Sequence, residues 1–168
     1  QFVISTHSNI VAKYLGSVSG SKIFRVDMQI NDRIPTTSVQ EVGNDPVQRR
    51  DVLEELGYEM TDYDLWDGWL ILEESSAERL INDILLPFFI PELKGKIRTI
   101  SAGGVENVEP KFIDFDRLFL FTHLSPQYKN RAWVIVEGGE IGKKVISSLR
   151  STYEKSGWNN ECFIELTQ

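Results

Sequence analysis

The chain has 168 residues, 41% of them hydrophobic and 26% charged, enough to bury a core and unlike the composition of a disordered polypeptide. Its formal net charge of −7 argues against a protein that wraps duplex nucleic acid unaided, because phosphate binding is built on Lys and Arg. The longest apolar runs, such as Ile84 to Ile90 with its Pro87, fall far short of the roughly 18 to 20 apolar residues of a bilayer span, and no membrane segment is expected.

In chain order, Gln1 to Ile4 reads as the end of a buried strand, without the basic-then-apolar pattern of an export signal, so a cytoplasmic protein is expected. Ser8 to Leu15 has the spacing of a short helix, and Lys22 to Val26, bounded by Gly20 and Asp27, that of a strand. Pro35, Gly43 and the Thr36-Thr37-Ser38 cluster predict irregular structure from Asn31 to Asp45, with one edge strand near Thr37 to Glu41. Pro46 opens a helix that should run to about Leu56, where Gly57 supplies a stop. This divides the chain into an N-terminal part at 1–30, a connector with one helix at 31–66, and a regular domain at 67–168.

From Trp69 the pattern becomes regular. Trp69 to Leu72, Ile97 to Ser101, Ala132 to Val136 and Glu161 to Leu166 read as short apolar strands. Between them lie helices at Ser76 to Leu86, Val108 to Leu124 and Ile141 to Tyr153, each long enough to cross a sheet and return the chain in parallel. The expected fold class is α/β, a Rossmann-like parallel sheet of about four strands flanked by helices. The single cysteine, Cys162, sits in an apolar-flanked strand pattern and is read as a buried structural thiol.

Ligands of such sheets sit at the carboxyl ends of the strands. There the first strand delivers Glu73-Glu74-Ser75-Ser76-Ala77-Glu78, and the third delivers Glu137-Gly138-Gly139-Glu140-Ile141-Gly142. Converging carboxylates suit a hard divalent cation such as Mg²⁺, which takes oxygen ligands from one or two carboxylates plus water and phosphate. Two structural readings stand beside this one. Ser75 and Glu78 have capping-box spacing, and Gly138, Gly139 and Gly142 suit a tight turn with close helix packing or a backbone anion site.

The run Leu72-Glu73-Glu74-Ser75-Ser76-Ala77-Glu78 resembles the first motif of TOPRIM domains, an apolar strand followed by Glu-Gly-x-x-Glu, with Ser75 in place of Gly and Glu74 as the motif glutamate. Val134-Ile135-Val136-Glu137-Gly138-Gly139 resembles the second motif, a strand ending in Asp-x-Asp, with the first acid lengthened to Glu137 and the second replaced by Gly139. Ser101-Ala102-Gly103-Gly104-Val105 is similar to the glycine turn between them. Val3-Ile4-Ser5-Thr6-His7-Ser8 resembles the switch-histidine segment closing the ABC-type ATPase head of the OLD (overcoming lysogenization defect) family of ATPase–nucleases.

The resemblance implies a TOPRIM domain preceded by the tail of an ATPase head. It implies Mg²⁺ or Mn²⁺ held by Glu74, Glu78, Glu137 and Glu140, of which Glu74, Glu78 and Glu137 are catalytic. His7 would be the nucleotide sensor of a complete ATPase, and Lys143 and Lys144 would meet phosphate. The expected activity is metal-dependent cleavage of DNA in DNA processing or phage defence, within a homo-oligomer that carries the ATPase head. ATP enters only with that head, because no Gly-x-x-x-x-Gly-Lys-Ser/Thr loop occurs in this sequence. The competing expectation is a degenerate TOPRIM domain that serves as a non-catalytic assembly module, for which Gly139 speaks. A phosphate-binding domain built on Gly103-Gly104 ranks behind both, since Glu106 and Glu109 stand close by and would repel an anion.

Overall fold

The computed structural model describes residues 2–31, 34–58 and 66–166. Gln1, with which the expected N-terminal strand begins, and residues 32–33 and 59–65 of the expected connector lie outside the described residues. The chain forms two compact units, Gln1–Thr61 with Arg117–Ser125, and Asp62–Asp116 with Pro126–Gln168.

The first unit holds helix α1 (Asn9–Gly16), strands β1 (Ile23–Asn31) and β2 (Ile34–Val42), and helix α2 (Pro46–Glu55). Ser8 caps α1 by accepting the Val11 N–H at 3.4 Å. The strands form a nine-residue antiparallel ribbon whose register runs from Ile23 opposite Val42 to Asn31 opposite Ile34. The expected strand Lys22 to Val26 is therefore longer, and the polar stretch expected to be mostly irregular is its partner. Thr36, Ser38 and Gln40 look like loop residues in isolation, yet each faces a β1 residue across the ribbon. Phe2, Val3 and Ile4 form no strand and are exposed, Phe2 to 96%. The expected buried strand at this end is not formed, because these apolar residues pair with no neighbouring strand among the described residues.

The second unit is an α/β fold built on a four-stranded parallel sheet. Its strands are β3 (Gly68–Leu72), β4 (Ile97–Ser101), β5 (Ala132–Glu137) and β6 (Phe163–Leu166), in the order β4-β3-β5-β6. Helix α3 (Ser75–Leu80) leads through a π-helical turn, Ile81–Leu85, into α4 (Leu86–Phe89). Pro87 accounts for the widened turn: a proline has no N–H to donate, and its ring crowds the carbonyl four residues back. Helix α5 (Val108–Phe121) and the short α6 (Ser125–Tyr128) connect β4 to β5, and α7 (Glu140–Tyr153) connects β5 to β6. The four strands expected from the sequence form, each within two residues of its expected start.

An aromatic cluster fixes the helices against this sheet. Phe112 of α5 meets Tyr153, Trp158 and Phe163 edge to face, with ring centroids 4.8, 5.0 and 5.1 Å apart. Trp69 of β3 lies between Phe115 and Tyr128 at 5.5 and 4.9 Å. The Trp158 indole N–H donates to the Asp116 carboxylate at 2.9 Å, which satisfies a donor in this buried region. Cys162 is buried as expected, and burial pushes its thiol pKa up. Among the described residues no helix is long and apolar enough to cross a membrane.

Candidate functional site

The strand order decides where a site can form. From β3 the chain crosses outward to β4, and from β5 it crosses outward the other way to β6, so the helices after β3 and β5 diverge. The crevice outside the carboxyl ends of β3 and β5 is the switch point of the sheet, the place where open α/β sheets bind ligands. Both acidic runs stand there.

Glu73 leaves β3 and reaches across the switch point, its carboxylate accepting the backbone N–H of Glu137 at 3.2 Å. Glu74 is the N-cap residue of α3 and is exposed; its carboxylate accepts the Ser76 hydroxyl at 3.1 Å, a local contact that keeps it on its own turn. Glu78, one helical turn later, does not close a capping box with Ser75, which is already the first residue of the helix. Its carboxylate instead accepts the Thr99 hydroxyl at 2.8 Å, and Thr99 accepts from the Asn82 amide at 2.7 Å. Thr99 is 6% exposed in β4, so this chain of bonds satisfies a buried hydroxyl while fixing Glu78 against the sheet.

The turn after β4 is pinned to the end of β3. The Ala102 and Gly104 N–H groups donate to the Leu72 and Glu73 carbonyls at 2.8 and 2.9 Å. Gly103 and Gly104 lie at φ 76° and 133°, which side chains rarely adopt. The glycine turn thus shapes the crevice through its backbone.

The three glycines after β5 have different roles. A Cβ on Gly138 would stand 2.4 Å from the Leu166 carbonyl oxygen, and one on Gly142 equally close to the Glu137 carbonyl oxygen, so both serve close packing. Gly139 has open space around it, and its φ of 165° is extended backbone open to any residue. Glu137 and Glu140 are exposed, as are Lys143 and Lys144 on the first turns of α7. His7 belongs to the first unit, where it is exposed just before α1.

The donor set at the crevice is all carboxylate oxygen, the chemistry that Mg²⁺ and Mn²⁺ select. Among the described residues, however, no three His, Cys, Asp or Glu side chains are gathered closely enough to hold a metal ion. The arrangement brings Glu73 to the carboxyl end of β5 and ties Glu74 and Glu78 elsewhere. A cation held there would have one or two of these carboxylates at most, the rest of its shell being water or other oxygen ligands. Glu73 and Thr99 are the residues that motif spacing passes over. A threonine inside a strand that needs a partner was the available signal for Thr99; for Glu73 it was adjacency to the strand end.

Comparison of the chain with protein-family models, with curated proteins and with solved structures gives no match.

Proposed function

We propose that the second unit is a divalent-metal-dependent nuclease module of the TOPRIM type, acting on DNA phosphodiesters within an ATP-driven assembly. The observation that carries this reading is the Glu73 carboxylate on the Glu137 N–H, at the switch point of a parallel sheet. It joins the acid-bearing ends of the two strands whose sequences resemble the TOPRIM motifs. Glu73 and Glu137 would hold the cation, with Glu74, Glu78 and Glu140 at the margin. When bound, Mg²⁺ or Mn²⁺ supplies polarisation of a phosphoryl oxygen and a more acidic water. Lys143 and Lys144 would meet the phosphates of a strand lying along the crevice, which offsets the chain's net negative charge locally. DNA as substrate, the ATPase head as partner and His7 as its nucleotide sensor come with the resemblance.

The test is Mn²⁺ binding by calorimetry together with Mn²⁺-dependent cleavage of plasmid DNA, on the wild type and on Glu73→Gln, Glu74→Ala and Glu137→Gln. Loss of Mn²⁺ binding in Glu73→Gln and Glu137→Gln, and loss of cleavage in all three, is expected. Cleavage retained in every variant would overturn the reading.

A second reading, a non-catalytic assembly module, is favoured by Gly139, which carries no acid at a position whose backbone would accept one. It predicts that neither Mn²⁺ binding nor cleavage is measurable in the wild type.

A further inference from the structure

A cleft of about 490 Å³ opens in the first unit. Its walls are the loop from Gly16 to Lys22, the segment from Glu41 to Asn44, and the side chains of Arg49, Leu120 and His123. The volume lies in the range of small-molecule sites.

Arg49 is the unusual feature. It sits on α2 and is 2% exposed, although arginine is almost never fully buried unless paired. Its Nε donates to the Gly43 carbonyl at 2.7 Å and its Nη2 to the Asn44 side-chain oxygen at 3.0 Å. The remaining nitrogen, Nη1, is buried with no hydrogen-bond partner. The guanidinium also lies 5.4 Å from the centre of the Phe121 ring, an apolar contact with no anionic charge. Among the described residues no carboxylate forms an ion pair with it, and Glu41 on the cleft wall is bonded to Lys22 at 3.0 Å. A buried cation with neutral partners only is costly unless an anion joins it.

The loop and the helix end are built around the same space. A Cβ on Gly16 would stand 2.6 Å from Phe121, so the loop can run this close only as glycine. Gly20 turns the chain at φ 81°, with Ser17, Ser19 and Ser21 around it. Opposite, α5 ends in a Schellman motif, the His123 N–H on the Leu120 carbonyl at 3.3 Å and the Leu124 N–H on the Phe119 carbonyl at 3.0 Å. The left-handed residue of that motif is usually glycine, yet here it is histidine at φ 57°, which sets an imidazole on the rim of the cleft. The imidazole is exposed on its outer side; partial desolvation at the rim and then the charge of Arg49 push the His123 pKa down, in keeping with a positive field there.

We infer that this cleft is a binding site for a small molecule with an oxyanion head, a phosphate or a carboxylate, whose charge is met by Arg49 with Lys22 and His123 at its edge. The guanidinium fork matches either head.

The 168-residue chain should be titrated with inorganic phosphate and, separately, with acetate, both against sodium chloride of equal ionic strength, following backbone amide and imidazole resonances. Saturable shifts confined to Gly16–Lys22, Asn44 and the His123 ring are expected, and the arm that binds more tightly names the head group. Arg49→Met should weaken binding by about tenfold or more, the loss expected for a hydrogen bond to a charged group. Should that variant fail to fold, the wild-type resonances and Lys22→Gln, which removes an exposed rim charge, decide the matter: Lys22→Gln weakens binding at the same resonances. Shifts no different from the chloride control, or affinity unchanged by both substitutions, would overturn the site.

Discussion

The carboxylate of Glu73 accepts the backbone N–H of Glu137 at 3.2 Å, bridging the ends of two adjacent parallel strands. Glu73 is therefore the acid whose removal should be felt at both strand ends. Glu73→Gln keeps the size and an acceptor oxygen but removes the charge, so the fold should hold while divalent cation binding weakens. Mn²⁺ titration calorimetry should register a larger loss for Glu73→Gln than for Glu74→Gln, because the Glu74 carboxylate is held on its own turn by Ser76. A larger loss for Glu74→Gln would return the central role to Glu74.

The glycines after β5 give a paired prediction in opposite directions. Gly138→Ala drives a methyl group to 2.4 Å from the Leu166 carbonyl oxygen, a contact with backbone that no rotamer relieves. It should destabilise the unit by about 1–3 kcal/mol in urea unfolding, the usual cost of overpacking. Gly139→Asp meets open space on extended backbone and should leave the midpoint nearly unchanged. It also adds an acid beside Glu137, at the proposed cation site, so Mn²⁺ affinity should rise above that of the wild type. An affinity that does not rise would mean that position 139 does not face the cation.

What the sequence made legible and what it hid divide along the range of the interactions. The parallel sheet was readable because each of its strands is a short apolar run ended by a local turn signal, and each crossover carries its own helical period. The ribbon was hidden because its second strand, Ile34–Val42, is polar and contains Pro35; only pairing with β1 makes it a strand. Phe2 to Ile4 misled in the opposite sense, since apolar composition predicts burial only where a surface exists to cover it. At the site, spacing located both acidic runs, but which glutamate faces which strand depends on register between chain segments 64 residues apart. Arg49 shows the same limit: a charged helix residue reads as solvated, and its burial comes from distant chain.

Thr99 tests whether Glu78 is positioned by the sheet. Its hydroxyl donates to Glu78 and accepts from Asn82, and Thr99→Val preserves the shape while removing both bonds. Glu78 and Asn82 are only partly exposed or at the surface, so water restores some of what is lost, and a cost of about 1–2 kcal/mol is expected in denaturant unfolding. If Glu78 serves the metal, Thr99→Val also lowers Mn²⁺ affinity, and Thr99→Ser, which keeps the hydroxyl, restores it. An affinity that follows neither substitution would leave Thr99 a purely structural residue.

His123 gives a pH prediction whose sign follows from its surroundings. Partial desolvation and the nearby Arg49 hold its pKa below the ordinary imidazole value, so the unfolded chain takes up the proton first as pH falls. The stability contribution is present above the ordinary imidazole range and is lost as pH drops through that range toward the depressed value. His123→Asn removes the titration and still suits the left-handed backbone at this position, since asparagine adopts it readily. Between about pH 7.5 and 5.5 the urea midpoint of the wild type should fall further than that of the variant, the span over which an ordinary histidine changes charge. Inorganic phosphate bound beside Arg49 would neutralise the opposing charge and shrink this difference, whereas sodium chloride of equal ionic strength would shrink it less. Wild type and variant falling in parallel would show that the imidazole feels no net positive field in the folded chain.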